Sequence, residues 1–242
     1  LARLAHTRRP GLAALLSTVA KPRPCEHGSG LEECYAVAAE TVAFQVGPRI
    51  NAIGRMGLDP NLVVELFNTK EPERAREIAE QLDTANKDRR EVTNRITDDA
   101  MARVDPDAPV IVMSLPIFKG IAGLVAGRLA AEWGKPAIVI DEQGAGSARS
   151  PEGIDLLTVL QNDYPHLVTA AGHSAAMGIS GVKDVDELRS ALERHAWPPR
   201  LSGRELQIDA VCHLSDLDET LMAGLDALEP TGQGNPPVLL AL

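Results

Sequence analysis

Apolar positions recur at helical spacing through the first half of the chain and gather into short runs in the second. From Ile78 the sequence places Ile78, Leu82, Ala85, Val92 and Ile96 on one continuous stripe, and Arg89 stands where the next apolar residue would fall. With Pro72 at its first turn, this stripe predicts a single helix of about 30 residues, about 45 Å long at 1.5 Å per residue. Such a helix is too long for one small domain and suits a connector between two. Upstream, residues 1–24 read as one or two helices, broken at Arg8-Arg9-Pro10-Gly11, with a second apolar stretch over 12–19. Residues 31–46 carry Tyr35, Ala38, Val42 and Val46 at helical spacing, and Gly47-Pro48 is expected to stop that helix. Residues 58–68 form a short further segment.

The second half changes period. Residues 110–113 and 137–140 are apolar strands, separated by an amphipathic helix over 121–133 and a Gly134-Lys135-Pro136 turn. Helices are predicted over 154–161 and 184–195, the latter opened by acidic residues where the helix dipole favours them. Strand alternating with helix predicts an α/β domain. After Pro198-Pro199 a new pattern begins: a strand through Leu206, Ile208 and Val211, a helix to Leu228, and a last apolar strand over 238–242.

Composition narrows the class. The 242 residues are 44% hydrophobic and 24% charged, as in ordinary soluble domains, but only 3% aromatic, so the core must be built from Ala, Leu, Val and Ile. No apolar run approaches the length of a membrane span and no secretory signal opens the chain, so a cytoplasmic location is expected. The formal charge of −10 argues against a uniformly basic coat for nucleic acid, although a local basic groove remains compatible with it. Cys25, Cys34 and Cys212 have no paired spacing and read as reduced thiols; Cys25, His27 and Cys34 lack the fourth ligand of a zinc site. The chain starts at Leu1 and its first methionine is Met56, so a piece of a longer protein is expected, one that also stops inside a domain.

Three constellations carry candidate chemistry. Gly146-Ser147-Ala148-Arg149-Ser150, entered through Gly144, follows a buried strand; alternation puts Ser147 and Arg149 on one face, a hydroxyl beside a guanidinium fork. The same string reads equally as a polar β-hairpin. Ala171-Gly172-His173-Ser174 offers an imidazole among small residues, which alone is more often a packed or capping histidine. Arg49, Asn51 and Arg55, within Gly47-Pro48-Arg49-Ile50-Asn51-Ala52-Ile53-Gly54-Arg55, suit a phosphodiester backbone or, equally, the holding of loop carbonyls. No Asp, His or Cys cluster stands near these motifs to hold a metal.

Taken in order, these motifs resemble the RecJ family, single-strand-specific 5′→3′ exonucleases of the DHH phosphoesterase superfamily. The resembling stretches are RRPGLAALL at 8–16, GPRINAIGRM at 47–56, LDTANKDRREV at 82–92, GIAGLVAGRL at 120–129, GSARSPEGIDL at 146–156, AGHSAAMGIS at 171–180 and LEPTGQGNPP at 228–237. The resemblance implies an α/β protein: the end of a DHH domain over 1–68, a connector helix over 69–104, a DHH-associated domain over 105–198 and the start of an OB-like domain over 199–242. It further implies that Ser147 and Arg149 bind substrate phosphate with Ser150 in support, and that Gly172 and His173 face the scissile phosphate. Arg49, Asn51 and Arg55 would line the single-strand path. Mn²⁺ or Mg²⁺ would be held by ligands in an upstream domain, since no Asp-His-His motif occurs in this sequence. Single-stranded DNA is the implied partner, along with a single-strand-binding protein and a helicase, in DNA repair and recombination.

Two departures from the family pattern stand out. Ile117-Phe118-Lys119 occupies the place of a usual Trp-His, and Ala171 replaces the first glycine of Gly-Gly-His. Phe118 supports a rival reading, a non-catalytic nucleic-acid-binding scaffold; a small-substrate phosphodiesterase is a third, opposed by the LEPTGQGNPP element.

Overall fold

The computed structural model describes residues 2–24, 33–198, 207–232 and 234–242. The chain divides into two compact units, one of residues 1–53, 59–86 and 201–242, the other of residues 54–58 and 87–200.

The first unit begins with helices α1 (Ala2–Ala5) and α2 (Pro10–Ser17). The expected break at Arg8-Arg9-Pro10-Gly11 is where α2 starts, because proline at the first helical position loses no intrahelical bond. Gly11 is needed for packing: a Cβ there would lie 1.8 Å from the Leu66 carbonyl oxygen. Two short strands, β1 (Arg23–Pro24) and β2 (Glu33–Cys34), pair antiparallel. Cys25, His27 and the Gly28-Ser29-Gly30 loop lie outside the described residues.

The predicted helix over 31–46 with a stop at Gly47-Pro48 is corrected. Residues 33–34 are strand, Thr41–Val46 winds as a π-helix, and α3 (Gly47–Arg55) continues directly from it. The Gly47 N–H reaches back five residues to the Val42 carbonyl. This wider turn brings Pro48 into the first turn of α3, where its missing N–H and its ring disrupt nothing. Helix α4 (Asn61–Asn68) follows, and Leu15, Ile53, Leu66, Ile78 and Leu82 meet in this unit's core.

Helix α5 (Pro72–Met101) is the predicted 30-residue rod. Its apolar stripe serves two cores in turn: Ile78, Leu82 and Ala85 in the first unit, Ile96 and Ala100 in the second.

The second unit is a five-stranded sheet between helices. Strand β3 (Ile111–Ser114), helix α6 (Lys119–Trp133) and strand β4 (Ala137–Ile140) form a right-length βαβ crossover with β3 and β4 parallel. Gly134, at φ +59°, ends α6 in the left-handed conformation the turn requires. Strand β5 (Gly146–Arg149) returns antiparallel beside β4, and helix α7 (Leu156–Asp163) leads to β6 (Thr169–His173) and β7 (Ala176–Ser180). The order is β3-β4-β5-β7-β6, and every pairing after β3–β4 is antiparallel. Helix α8 (Val185–Glu193), capped by Asp184, closes the unit.

Side-chain alternation splits the sheet cleanly. Ile111, Met113, Ala137 and Val139 pack under α6, whereas Val112, Ile138, Ile140, Ala148, Met177 and Ile179 pack under α7 and α8. The final segment holds β8 (Ala210–Val211), helix α9 (Glu219–Asp226) and β9 (Leu240–Ala241), with β8 and β9 parallel. The expected strands there are shorter than predicted, and Leu206 lies outside the described residues. Among the described residues no helix is long and apolar enough to cross a membrane.

Candidate phosphate-binding site

The β4–β5 hairpin is tied by a residue the sequence pattern did not single out. Buried Asp141 accepts hydrogen bonds from the backbone N–H of Gln143 and of Ala145, both at 2.9 Å, while its own N–H donates to the Ala145 carbonyl at 2.7 Å. Gly144 takes φ +77°, and a Cβ there would fall 2.1 Å from the Val182 carbonyl. The hairpin therefore delivers β5 in fixed register, with Ser147 opposite Val139 and Arg149 opposite Ala137.

That register puts Ser147 and Arg149 on the α6 side, as alternation predicts. Space for them exists because α6 presents glycine. A Cβ on Gly123 would lie 2.7 Å from Arg149 Nη2 and 3.3 Å from Ser147 Oγ, and one on Gly127 would lie 3.8 Å from Arg149 Cγ. Gly120, one turn earlier, admits backbone instead: its Cβ would lie 2.2 Å from the carbonyl oxygen of Arg55, whose Nη1 donates to the Gly120 carbonyl at 2.9 Å. Gly120, Gly123 and Gly127 thus share one half-exposed face of α6 with Leu124 and exposed Arg128.

Guanidinium groups gather over this face. Arg149 Nη1 donates to the Ala148 carbonyl at 2.8 Å, and Arg128 Nη1 donates to Asn94 Oδ1 at 2.6 Å. Burial, then the neighbouring Arg55, pushes the Arg149 pKa down from its ordinary range. Arg89 of α5 is pushed down likewise, by burial first and then by Arg55, Arg90 and Arg128. Arginine stays charged through such shifts, so they mark a region of concentrated positive charge.

The remaining predicted residues divide. His173 is exposed at the end of β6; through Ala176 it shares a cross-strand row with Arg149, two strand spacings or about 10 Å away. Between them lie only the small side chains of Ala176, Gly178 and Ala171, leaving an open shelf of sheet. Gly172, at φ +145°, faces the other way, and a Cβ on it would meet the Ala176 carbonyl at 2.7 Å, so its role visible here is backbone closure of the β6–β7 hairpin. Ser150 also leaves the α6 face: its hydroxyl is buried and donates to the Ile154 carbonyl at 2.9 Å. In the first unit, Arg49 is held by Asp83 at 2.8 Å and by the carbonyls of Gln45 and Thr18, matching the loop-holding alternative. Asn51 is exposed. Phe118 stands exposed at the N-cap of α6 and makes no side-chain cap.

Sequence reasoning missed Gly120, Gly123 and Gly127 as the floor of the site, together with Arg128 and Asn94. Their signal was present: glycines at i, i+3 and i+7 inside a helix, a spacing that only a close approach on one face rewards. Among the described residues no three His, Cys, Asp or Glu side chains converge to hold a metal ion.

No family model matches the chain. The single-stranded-DNA-specific exonuclease RecJ of Bacillus subtilis is 32% identical across 98% of this chain, and that of Thermus thermophilus is 28% identical across 86%. The crystal structure of Thermus thermophilus RecJ in complex with Mn²⁺ superposes with a TM-score of 0.85 at 26% identity, covering 99% of this chain and 35% of that one. A structure of exonuclease RecJ bound to manganese gives 0.63 at 25% identity, over 79% of this chain and 46% of that one. The chain spans about 30% of the length of the curated relatives it matches, 30% of the first and 31% of the second. On sequence and fold together, across nearly all of its residues, the chain belongs to the RecJ family.

Proposed function

We propose that this chain supplies the phosphate-binding wall of a metal-dependent single-stranded-DNA exonuclease acting in DNA repair and recombination. The second unit then corresponds to the DHH-associated domain. The observation that carries this reading is the pocketing of Arg149 and Ser147 against the glycine face of α6, half-buried and side by side, with no carboxylate paired to Arg149 among the described residues. A guanidinium fork beside a hydroxyl matches the oxygens of a phosphate, and Arg55 adds charge at the same face. His173, across the shelf of small residues, stands where a strand lying on Arg149 would present its next groups. Arg149 and His173 stand two strand spacings apart across the shelf, a span that suits a single strand lying between them.

Hydrolysis of a phosphodiester also needs an activated water and neutralised charge. Among the described residues no three His, Cys, Asp or Glu side chains converge; in this reading the wall binds and orients, and the metal ligands belong to a part of the protein other than this wall. Two RecJ structures from Thermus thermophilus are complexes with Mn²⁺ and with Mg²⁺.

The test measures binding of a 5′-phosphorylated single strand to the chain, wild type and Arg149→Ala. Loss of a charge-assisted contact costs about 1.5–3 kcal/mol, so affinity should fall tenfold or more. Unchanged affinity overturns the assignment.

A further inference from the structure

Aromatic side chains are scarce in this chain, at 3% of its residues, and most of them serve packing. Tyr35 and Phe67 sit in the first unit's core, Trp133 packs on the α6 side of the sheet, and Tyr164 and Trp197 pack on the other side. Phe118 belongs to none of these cores: it is 45% exposed, although Ile117 and Ile121 on either side of it are buried. Among the described residues no other ring stacks on it and no cation lies over it. It stands in the link from the carboxyl end of β3 into α6, and the carboxyl ends of parallel strands are where open α/β sheets receive ligands. The Arg149 side chain runs along α6 toward that end. A Cβ on Gly127 would lie 3.8 Å from its Cγ, whereas one on Gly123, a turn nearer the start of α6, would lie 2.7 Å from its Nη2. Nη1 is engaged by the Ala148 carbonyl, which leaves Nη2 to a ligand. From Gly123 back to Phe118 is five residues, about 7.5 Å of helix.

We propose that Phe118 is the stacking platform for the 5′-terminal nucleobase when Ser147 and Arg149 hold the terminal phosphate. The inference rests on the phosphate-wall reading above and adds a base contact to it. The terminal nucleoside lies between the phosphate on Arg149 and the scissile phosphate set toward His173. Its base can therefore turn along α6 to Phe118 while the backbone crosses the shelf. Every base has a π-face, so a ring in this position strengthens binding without reading sequence.

The experiment measures affinity of the 242-residue chain for a short 5′-phosphorylated oligothymidylate. In parallel strands, each of the first three nucleotides is made abasic, one at a time. In wild type, loss of the first base should weaken binding about tenfold, and loss of the second or third should matter less. Phe118→Ala should weaken binding of the unmodified strand about tenfold, leave the melting temperature unchanged because the ring packs in no core, and abolish the first-base penalty. Phe118→Trp should keep that penalty, whereas Phe118→Leu, apolar but without a π-face, should lose most of it. Sensitivity to removal of the 5′-phosphate should survive Phe118→Ala and vanish in Arg149→Ala. If Phe118→Ala binds as wild type does or retains the full first-base penalty, or if the largest penalty falls on the second or third base, the platform is overturned while the wall survives. If only the Arg149 arm fails, the wall falls and the platform stands. Absence of any oligonucleotide binding at low salt overturns both.

Discussion

Single glycines decide what this unit can hold, and two of them should respond oppositely to one added methyl group. At Gly146 an alanine Cβ would sit 1.9 Å from the Val139 carbonyl oxygen, which is backbone and has nowhere to go. Gly146→Ala should therefore cost about 2 kcal/mol or more in a urea melt. At Gly123 the new methyl meets only the tip of Arg149 and the Ser147 hydroxyl, groups that can swing away. Alanine gains about 1 kcal/mol of helix propensity over glycine, so Gly123→Ala should leave the melting temperature equal or higher. Single-strand affinity should nonetheless fall severalfold, because Arg149 is displaced; a variant that binds as wild type does would show that Arg149 does not use this space. Of these residues, the shared face of Ser147 and Arg149 was legible from alternation, whereas His173 by itself read as a packed or capping histidine and entered only through the family resemblance. Arg89 was legible only as an anomaly, a charge standing on an apolar stripe. Ser150 and Gly172 sit in the same motifs yet turn to structural tasks, since period-two alternation sends neighbours to opposite faces.

At the scale of elements, strands β3 and β4, helix α6 and the 30-residue α5 follow from hydrophobic period and glycine or proline punctuation. The π-turn at Thr41–Val46 did not, because its wider hydrogen-bond ring leaves the apolar spacing almost that of an α-helix while cancelling the proline stop. Strands β6 and β7 were hidden too: Thr169 and Ile179 are their only β-branched residues, most of the others are small, and the pairing of β7 with β5 and of β6 with β7 is what makes them strands. Helix α7 begins two residues later than its periodicity suggests because Asp155 caps it, accepting from the Thr158 N–H at 3.1 Å and its hydroxyl at 2.8 Å. The backbone N–H of Thr158, then its hydroxyl, hold the Asp155 carboxyl below the usual range. The cap therefore contributes fully above the unfolded-state pKa of about 3.9 and is lost as pH falls through the lower folded value. Acid melts of Asp155→Asn should lack this portion of the pH dependence, and a variant whose acid profile matches wild type would show that the cap contributes nothing.

Over the whole molecule, an acidic chain carries a concentrated patch of arginine, so DNA binding should be local and strongly salt-dependent. Each engaged phosphate of a single strand contributes about −0.7 to the slope of log affinity against log salt. Arg149→Ala should shallow it by about one phosphate's share; a slope near zero would rule out backbone contacts as the source of affinity. The α/β architecture was readable from strand–helix alternation, whereas the division into two cores sharing α5 emerges only when Ile78 and Ile96 are seen in different clusters.

The strand order β3-β4-β5-β7-β6 also bears on how the wall forms during folding. The β4–β5 and β6–β7 hairpins close over residues 141–145 and 174–175, loops whose closure entropy is small. Four of the five strands can thus pair by local contacts, while the parallel β3–β4 pair needs the α6 crossover and the β5–β7 seam waits for residues 150–175 to wind through α7. That seam is what brings Arg149 into one row with His173. Recognition of a strand would then switch on late and all at once, when two preformed hairpins dock, and partly folded forms of the unit would hold each half of the shelf without grasping DNA.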